Sequence, residues 1–413
     1  MILAAVIIFA FTYVSISAQR LPFLHLDRTS GAMIGAVAMI AFGVLTINEA
    51  YKALNFDTIV LLLGMMIIVA YLQAGGFFDA IAALILKRAR TGNGLLLTII
   101  LSAGILSAFF VNDTICVMMT PFVLLLTNRS KVDPKPYLIA LASSANIGSV
   151  ATLVGNPQNM LIGTFSKWPY LRFLEAMVPI ALAGLAIDYF ILRIFFSTRL
   201  KQGLTPYDNG LKTDHDKPLM RKSIAVTIVV IAGFSAGVNL AFMAILGAAL
   251  LVLLANRRPD EIFARVHWSL LLFFGSLFVV VAGINKVGLV ADAHKVLEGY
   301  FSTSLSNQIT FFSFASLVLS NVVSNVPYVM VVQHWISTFS SPQLMWLVLA
   351  MSSTFAGNLT VAGSVANMIV LELSKERAAF RFWEFTKVSG TIALATWGAG
   401  TAILVLYAAL FRL

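Results

Sequence analysis

The sequence predicts an all-α polytopic membrane protein made of two inverted-topology repeats. It should contain ten transmembrane helices, two re-entrant hairpins and two discontinuous helices. The first observation behind this prediction is composition: 59% of the 413 residues are hydrophobic, only 11% are charged, and the mean hydropathy is +0.91. Soluble domains carry about 25% charged residues. The other two observations are an internal repeat and a one-sided distribution of basic residues.

The internal repeat places similar motifs about 210 residues apart along the chain. Ser107 corresponds to Ser320, each just before a polar cluster within an apolar run. The segment SSANIGSVATLVGNPQNM from Ser143 corresponds to SSTFAGNLTVAGSVANM from Ser352 after a one-residue shift. A fixed offset of this kind indicates duplication. We therefore expect a first repeat at 1–196, a linker at 197–221 and a second repeat at 222–413.

Two apolar runs, 95–127 and 308–339, have polar residues at their centres. As one helix, the first run would be roughly 48 Å long, against a hydrocarbon core of about 30 Å. Asn112 and Asp113 lie at its middle, where polar side chains are costly unless they have a function. Ser324 and Asn325 occupy the same place in the second run. Each run is therefore predicted to be two half-helices that meet at a tip, which is a re-entrant hairpin.

Two further apolar segments, 137–163 and 343–371, are interrupted by glycines and asparagines and are predicted to be discontinuous helices. A broken helix exposes unpaired N–H groups at one half and unpaired C=O groups at the other, and glycine allows close approach to a ligand. The two tips and the two breaks thus form one candidate binding site. Its residues in the first repeat are Asn112, Asp113, Thr114, Asn146, Gly148, Ser149, Thr152, Asn156 and Asn159. Those in the second repeat are Ser324, Asn325, Gly357, Asn358, Thr360 and Asn367.

The basic residues support this topology. With five spans and one hairpin in each repeat, one side of the membrane receives 20 Lys and Arg residues and the other receives 6. Basic residues concentrate in cytoplasmic loops. The linker and the loop at 19–29, which contains Arg28, are therefore expected in the cytoplasm, and both termini outside. The net charge of +10 then belongs to these loops and does not indicate a nucleic-acid partner.

The position of Asp113 has two interpretations. A carboxyl group buried at membrane depth can take up and release a proton during a transport cycle. Asp also commonly caps a helix start, so Asp113 can instead begin the second half of the hairpin. Asp188 is a weaker candidate within a span of the scaffold type, where it can pair with Arg193 or face a lumen.

The tip FVNDT, the break NIGSVATLVGNPQN and their copies VSNVP and GNLTVAGSVAN resemble the ion transporter superfamily, in particular its arsenite-permease (ArsB-like) and silicic acid efflux branch. The resemblance implies a scaffold region, a moving transport region and a homodimer in the cell (inner) membrane. It also implies secondary active transport, often proton-coupled efflux. The sodium-coupled dicarboxylate branch carries Ser-Asn-Thr at both tips, whereas here the tips read Val111-Asn112-Asp113 and Ser324-Asn325-Val326.

The four breaks contain no arginine or lysine, which favours a neutral or weakly acidic oxyacid such as silicic acid or arsenite over a dianion. A sodium-coupled anion transporter, a sodium/proton antiporter and a passive channel remain alternatives. No nucleophile–base pair is visible, so an enzyme is not expected. The lone Cys116 and the scattered histidines predict no metal site, and no cofactor is expected.

Overall fold

The computed structural model describes residues 1–18, 27–88, 90–201, 216–292, 295, 299 and 304–411, and the regular structure of these residues is helical. The helices of the first half are α1 (Ile2–Ala18), α2 (Arg28–Ala41), α3 (Ile47–Ala53), α4 (Phe56–Ala74), α5 (Phe77–Arg88), α6 (Gly92–Phe109), α7 (Asn112–Arg129), α8 (Lys135–Ser149), α9 (Pro157–Ser166), α10 (Tyr170–Phe195) and α11 (Ser197–Leu200). Those of the second half are α12 (Lys217–Ser235), α13 (Leu240–Leu254), α14 (Pro259–Phe263), α15 (Trp268–Lys286), α16 (Leu305–Val323), α17 (Asn325–Val332), α18 (Pro342–Ala356), α19 (Val365–Ser374) and α20 (Phe382–Phe411).

The prediction of an all-α membrane protein is confirmed. In the described part of the chain, six helices are long and apolar enough to cross a membrane: α4, α6, α10, α12, α15 and α20. The helices α1, α2 and α13 are apolar but shorter, at 14 to 17 residues. The total of ten membrane-crossing helices stays a prediction.

The chain leaves the helical conformation at each of the four predicted interruptions. Extended backbone at Phe110 separates α6 from α7, and Ser324, with a φ of 72°, separates α16 from α17. A non-glycine residue at positive φ is uncommon and marks a strained turn. Residues 150–156 separate α8 from α9. Residues 357–364, which include a short 3-10 helix (Val361–Gly363), separate α18 from α19.

Helices extend into both ends of the linker expected at 197–221. The short helix α11 begins at Ser197, and α12 begins at Lys217, five residues before the predicted start of the second repeat. Asp216 explains the early start of α12, because its carboxylate accepts a hydrogen bond from the backbone N–H of Leu219 at 3.0 Å. Asp216 also pairs with Arg257 at 2.5 Å. Residues 202–215 lie outside the described residues.

The helices divide into two groups that pack mainly within themselves. The frame group consists of α1–α4 and α12–α15, and the hairpin group consists of α6–α10 and α16–α20. Within the hairpin group, α6 packs on α8 as α16 packs on α18, and the last long helices of the two halves, α10 and α20, pack on each other. The groups touch through fewer contacts, chiefly α4 with α9 and α15 with α17.

The α6–α8 pair shows why glycine is needed at one of these interfaces. A Cβ on Gly148 would lie 2.1 Å from the carbonyl oxygen of Gly104, so no side chain fits between the two backbones. Gly155 is similarly confined, because its Cβ would lie 2.3 Å from the carbonyl oxygen of Ser149. These close approaches bring the first hairpin tip onto the first broken helix.

Candidate functional site

A cavity of about 140 Å³ lies where the four interruptions meet, between the frame and hairpin groups. This is below the roughly 300–1,000 Å³ of pockets that bind drug-sized ligands, so the cavity suits a small solute. The frame group contributes Ile16, Arg28, Leu270, Phe273 and Phe274. The hairpin group contributes Asn112, Asp113, Pro157, Gln158, Asn321, Val322, Ser324, Asn325, Val326, Ala362, Gly363, Ser364, Val365 and Met368.

The first hairpin tip is anchored to the first broken helix through its backbone. The N–H of Asn112 donates to the carbonyl oxygen of Gly155 at 3.0 Å. The hydroxyl of Thr152 donates to the carbonyl oxygen of Ala108, near the end of α6. These two bonds satisfy backbone groups that a helix interruption would otherwise leave unpaired in the protein interior.

A chain of asparagine amides connects the second break to the first tip and fixes the orientation of each amide. The Nδ2 of Asn367 donates to the carbonyl oxygens of Gly357 (2.8 Å) and Thr360 (3.0 Å), so the Oδ1 of Asn367 must act as the acceptor toward Asn146. The Nδ2 of Asn146 donates to this Oδ1 at 3.1 Å. The Oδ1 of Asn146 then accepts from the Nδ2 of Asn112 at 2.8 Å.

In this orientation, one amide oxygen of the asparagine chain receives no hydrogen bond. The Oδ1 of Asn112 is buried and has no hydrogen-bond partner among the described residues. A buried polar atom without a partner costs about 1–3 kcal/mol. Asn112 lines the cavity, so a solute hydroxyl that reached this oxygen would remove the cost.

Asp113 follows at the start of α7 and lines the same cavity. Its carboxyl interacts with the backbone N–H of Ala366, in the first turn of α19, and with the charge of Arg28. The N–H groups at the start of a helix favour a negative charge. Asp113 therefore lies where α7 and α19 begin, with its side chain directed at the start of α19.

Arg28 was not predicted as a site residue. The sequence-based topology places it in a cytoplasmic loop. The four breaks themselves contain no arginine or lysine, but the cavity where they meet includes Arg28 from α2. Arg28 is the first residue of α2 and lines the cavity, with its guanidinium 5.6 Å from the ring centre of Phe273. No local signal in the sequence joins Arg28 to the breaks, because the contact depends on how α2 packs against α15 beside the hairpin group.

The second tip is anchored through Asn321, which was also not among the predicted site residues. The Nδ2 of Asn321 donates to the carbonyl oxygen of Ala356. Its Oδ1 accepts from the hydroxyl of Thr360 at 2.7 Å. Asn325 instead accepts within the hairpin, from the hydroxyl of Ser320 at 3.1 Å. Ser364 is another unpredicted lining residue, and its hydroxyl donates to the Oδ1 of Asn146 at 2.9 Å.

The structure brings four of the predicted site residues to the cavity: Asn112, Asp113, Ser324 and Asn325. The other predicted residues do not line it. They are Thr114, Asn146, Gly148, Ser149, Thr152, Asn156, Asn159, Gly357, Asn358, Thr360 and Asn367.

Most of these other residues hold the interruptions in shape. Asn156 caps α9 by accepting from the N–H of Asn159 at 2.8 Å, and its Nδ2 donates to the hydroxyl of Ser149 at 2.8 Å. Asn358 accepts from Asn146 at 2.8 Å. Thr114 is half-buried beside the tip. The polar atoms of the breaks are thus largely used to support the cavity wall.

Asp188 has neither of its expected environments. It is fully buried in α10, which packs in the hairpin group and not in the frame group, and it makes no ion pair with Arg193 in the described structure. Its Oδ1 instead lies 2.9 Å from the hydroxyl oxygen of Ser143 in α8. A spacing of five residues along one helix does not align two side chains, whereas α8 and α10 pack directly against each other.

The cavity opens toward one side of the molecule. A wider opening of about 780 Å³ shares Arg28, Val365 and Met368 with the cavity and extends past Asp27 and Glu372. On the opposite side, near the other end of α15, Asn285 contacts His334 at 3.0 Å and joins the two groups. The space beside the cavity is therefore wider on the side of Asp27 and Glu372 than on the side of Asn285 and His334, where a pocket of about 340 Å³ lies between the two groups.

Comparison with known proteins agrees with this fold. The sequence model of the citrate transporter family (CitMHS) matches residues 6–356. The silicon efflux transporter LSI3 of Oryza sativa subsp. japonica is 32% identical to this chain, with 88% of each chain covered. The putative transporter arsB of Dictyostelium discoideum is 26% identical, with 92% of this chain and 88% of that protein covered.

A solved structure has the same overall fold. The YdaH transporter of Alcanivorax borkumensis superposes with a TM-score of 0.60 and 14% sequence identity, over 98% of this chain and 96% of that one. The matching family model, the relatives and this solved structure are all described as transporters, and the chain is a membrane transporter of the same class. The chain belongs to the citrate transporter (CitMHS) family of the ion transporter superfamily.

Proposed function

We propose that the protein exports a small metalloid oxyacid, such as silicic acid or arsenite, in exchange for protons by alternating access. The observation that carries this proposal is that Asp113 and Asn112, whose Oδ1 has no hydrogen-bond partner among the described residues, line the same small cavity. Both groups accept hydrogen bonds, and an uncharged oxyacid presents several hydroxyl donors. A carboxylate that holds either a proton or a substrate hydroxyl makes the two ligands exclude each other, which is the basis of antiport.

The position of the cavity supports alternating access. It lies between two helix groups, with a space of about 780 Å³ on the side of Asp27 and Glu372 and a smaller one of about 340 Å³ beside the contact of Asn285 with His334. The basic loops predict that the open side faces the cytoplasm, so this arrangement would take up substrate from inside. Rearrangement of the hairpin group against the frame group would expose the same residues outside.

The proposal includes the setting expected from the sequence. The protein lies in the cell (inner) membrane as a homodimer, with the linker in the cytoplasm and both termini outside. Of the relatives named above, one is described as a silicon efflux transporter and the other as a putative transporter arsB, and the first description supports a small oxyacid as substrate.

A flux assay with purified protein in vesicles tests the function. Vesicles loaded with silicic acid or arsenite should release the solute when a pH gradient is imposed, and sodium alone should have no effect. Release that does not respond to the pH gradient for either solute would rule out proton-driven oxyacid export.

A sodium-coupled anion transporter is the second candidate, and Arg28 is the observation that favours it. A guanidinium at the cavity can bind a carboxylate or another oxyanion with two hydrogen bonds. The description of the family as citrate transporters points the same way. Stabilisation of the purified protein against heat by sodium, and further by citrate, would support this candidate over the first.

A further inference from the structure

Arg28 and Asp113 place opposite charges on the two helix groups that enclose the cavity. Arg28 belongs to the frame group and Asp113 to the hairpin group, and the charge of Arg28 acts on the Asp113 carboxyl. No carboxylate lies within 4.0 Å of the Arg28 guanidinium among the residues that the structure describes. Its described side-chain contact is with the Phe273 ring. The Arg28 guanidinium is therefore able to interact with a solute in the cavity.

The remaining lining residues carry no formal charge. The cavity wall is thus electrically neutral when Asp113 is ionised, and it carries one positive charge when Asp113 is protonated. Burial of an ion in a poorly solvated cavity is costly unless an opposite charge is present. Among the lining residues, the protonation state of Asp113 therefore decides whether the positive charge of Arg28 is balanced within the cavity wall.

We propose that Arg28 is a specificity-determining residue that, together with ionised Asp113, makes the cavity select uncharged solutes and exclude anions. A singly charged oxyanion binds only when Asp113 is protonated and Arg28 is left without its counter-charge. This inference deepens the proposed function, because it assumes that the cavity is the substrate site. It also explains how a transporter of a neutral oxyacid can carry an arginine in its cavity.

Four other titratable groups surround the pair at its edges. Asp27 precedes Arg28, is exposed and accepts from the N–H of Ser30 at 2.8 Å. His267 precedes α15, and burial followed by the charge of Arg28 lowers its pKa, so it adds no positive charge near neutral pH. Glu372 lies at the wider opening and pairs with Lys375 at 2.6 Å. Cys116 is fully buried one turn after Asp113. None of these four lines the cavity itself.

Binding of two small probes to the purified full-length protein tests the proposal. Silicic acid is uncharged at neutral pH, and nitrate remains a monoanion between pH 5 and pH 8. The readout is the shift in unfolding temperature as a function of probe concentration. The variants are Arg28→Gln, Arg28→Lys, Asp113→Asn and the double variant Arg28→Gln/Asp113→Asn. Arg172→Gln is the matched control, because Arg172 is exposed and pairs with Glu175 far from the cavity.

The expected pattern follows from the charge of the wall. At pH 8, Asp113→Asn should bind nitrate at least roughly tenfold more tightly than the unmodified protein, because the cavity wall then has no negative charge to balance that of Arg28. Arg28→Gln should not bind nitrate at any pH, and Arg28→Lys should retain the pH-dependent nitrate binding of the unmodified protein. The double variant, with a neutral wall, should bind silicic acid and not nitrate. Arg172→Gln should behave as the unmodified protein.

Two results would overturn the proposal: no gain of nitrate binding in Asp113→Asn, or unchanged nitrate binding in Arg28→Gln. Retention of binding by Arg28→Lys separates loss of the charge from loss of the fold. A failure of the proposed function is distinguishable, because it appears as absent silicic acid and arsenite flux in the unmodified protein. The nitrate pattern can still hold in that case, and the cavity would then belong to an anion transporter.

Discussion

Asn159 and Asn367 make the same two hydrogen bonds in the two halves of the molecule. The Nδ2 of Asn159 donates to the carbonyl oxygens of Ser149 and Thr152, 10 and 7 residues earlier, at 3.3 and 2.9 Å. The Nδ2 of Asn367 donates to those of Gly357 and Thr360, again 10 and 7 residues earlier, at 2.8 and 3.0 Å. The side-chain amide of each asparagine thus donates to backbone carbonyls that lack a partner within the helix because the helix ends there. The two halves therefore share this hydrogen-bonding arrangement as well as a sequence pattern.

Replacement of either asparagine should destabilise the fold. Asn159→Ala leaves the carbonyl of Thr152 without its donor, and Asn367→Ala does the same to those of Gly357 and Thr360. Each change is expected to cost about 1–3 kcal/mol of unfolding free energy. Asn128→Ala is the control, because Asn128 is exposed on α7 and its loss should change stability by less than about 0.5 kcal/mol. Unfolding of the purified variants in detergent measures the difference. Equal stability of Asn128→Ala and Asn159→Ala would contradict this role.

Gly148→Ala should prevent the close packing of α6 on α8. The added Cβ would meet the backbone of Gly104, which cannot move without separating the two helices. A loss of about 1–3 kcal/mol or more is expected, as for other overpacked sites. Gly398→Ala is the matched change in a helix interior with no atom within 4 Å of the new Cβ. The yield and unfolding temperature of the two variants should differ clearly, and similar values would contradict the packing argument.

Asp188→Asn should be tolerated better than Asp188→Ala. The hydroxyl of Ser143 lies 2.8 Å from the carbonyl oxygen of Ile139 and 2.9 Å from Asp188, and it has one hydrogen for both. An amide at position 188 can donate to the Ser143 oxygen while that hydrogen stays with Ile139. Alanine removes the partner and leaves a void, at a cost of about 1–3 kcal/mol. Unfolding temperatures of both variants check this order, and the reverse order would refute it.

The Asp216–Arg257 ion pair should stabilise the start of α12 in a pH-dependent way. The hydrogen bond from Arg257 is the main reason why the pKa of Asp216 is lowered below its usual value of 3.8. A lowered carboxyl pKa contributes stability above the unfolded value, and this contribution is lost as the pH falls through the folded value.

Asp216→Asn isolates this contribution, because asparagine also caps helices well. Its small loss of stability should be visible at pH 7 and should disappear toward pH 2. Asp216→Ala removes the cap as well and should remain less stable at both pH values. Thermal unfolding at the two pH values measures both effects, and a pH-independent loss in Asp216→Asn would exclude the ion pair as its cause.

The sequence predicted the interruptions of the helices well, because each one is signalled locally. Asn112-Asp113 and Ser324-Asn325 stand out within apolar runs, and the glycines near Asn156 and Asn358 mark the broken helices. The internal repeat strengthened each signal, since every break had a counterpart in the other half.

The sequence did not reveal how the cavity wall is assembled. Arg28 is about 85 residues from Asp113 along the chain, and only the packing of α2 and α15 brings it to the cavity. The sequence also does not single out Asn321, because the polar pair Ser324-Asn325 marks the tip and Asn321 lies one turn earlier. Conversely, Asn146 and Asn159 carry strong local signals but use their amides to hold the breaks. Polar residues at a break do not by themselves tell a ligand contact from a structural bond.

Proton movement coupled to oxyacid release is the most direct test of the role of Asp113. Vesicles containing the purified protein and loaded with silicic acid or arsenite are given a pH gradient, and solute release is followed together with the internal pH. The unmodified protein should release solute as protons enter. Asp113→Asn should lose the dependence on the pH gradient, whereas Asp57→Asn, at an exposed carboxylate outside the cavity, should retain it. Unchanged proton-coupled release by Asp113→Asn would contradict the account.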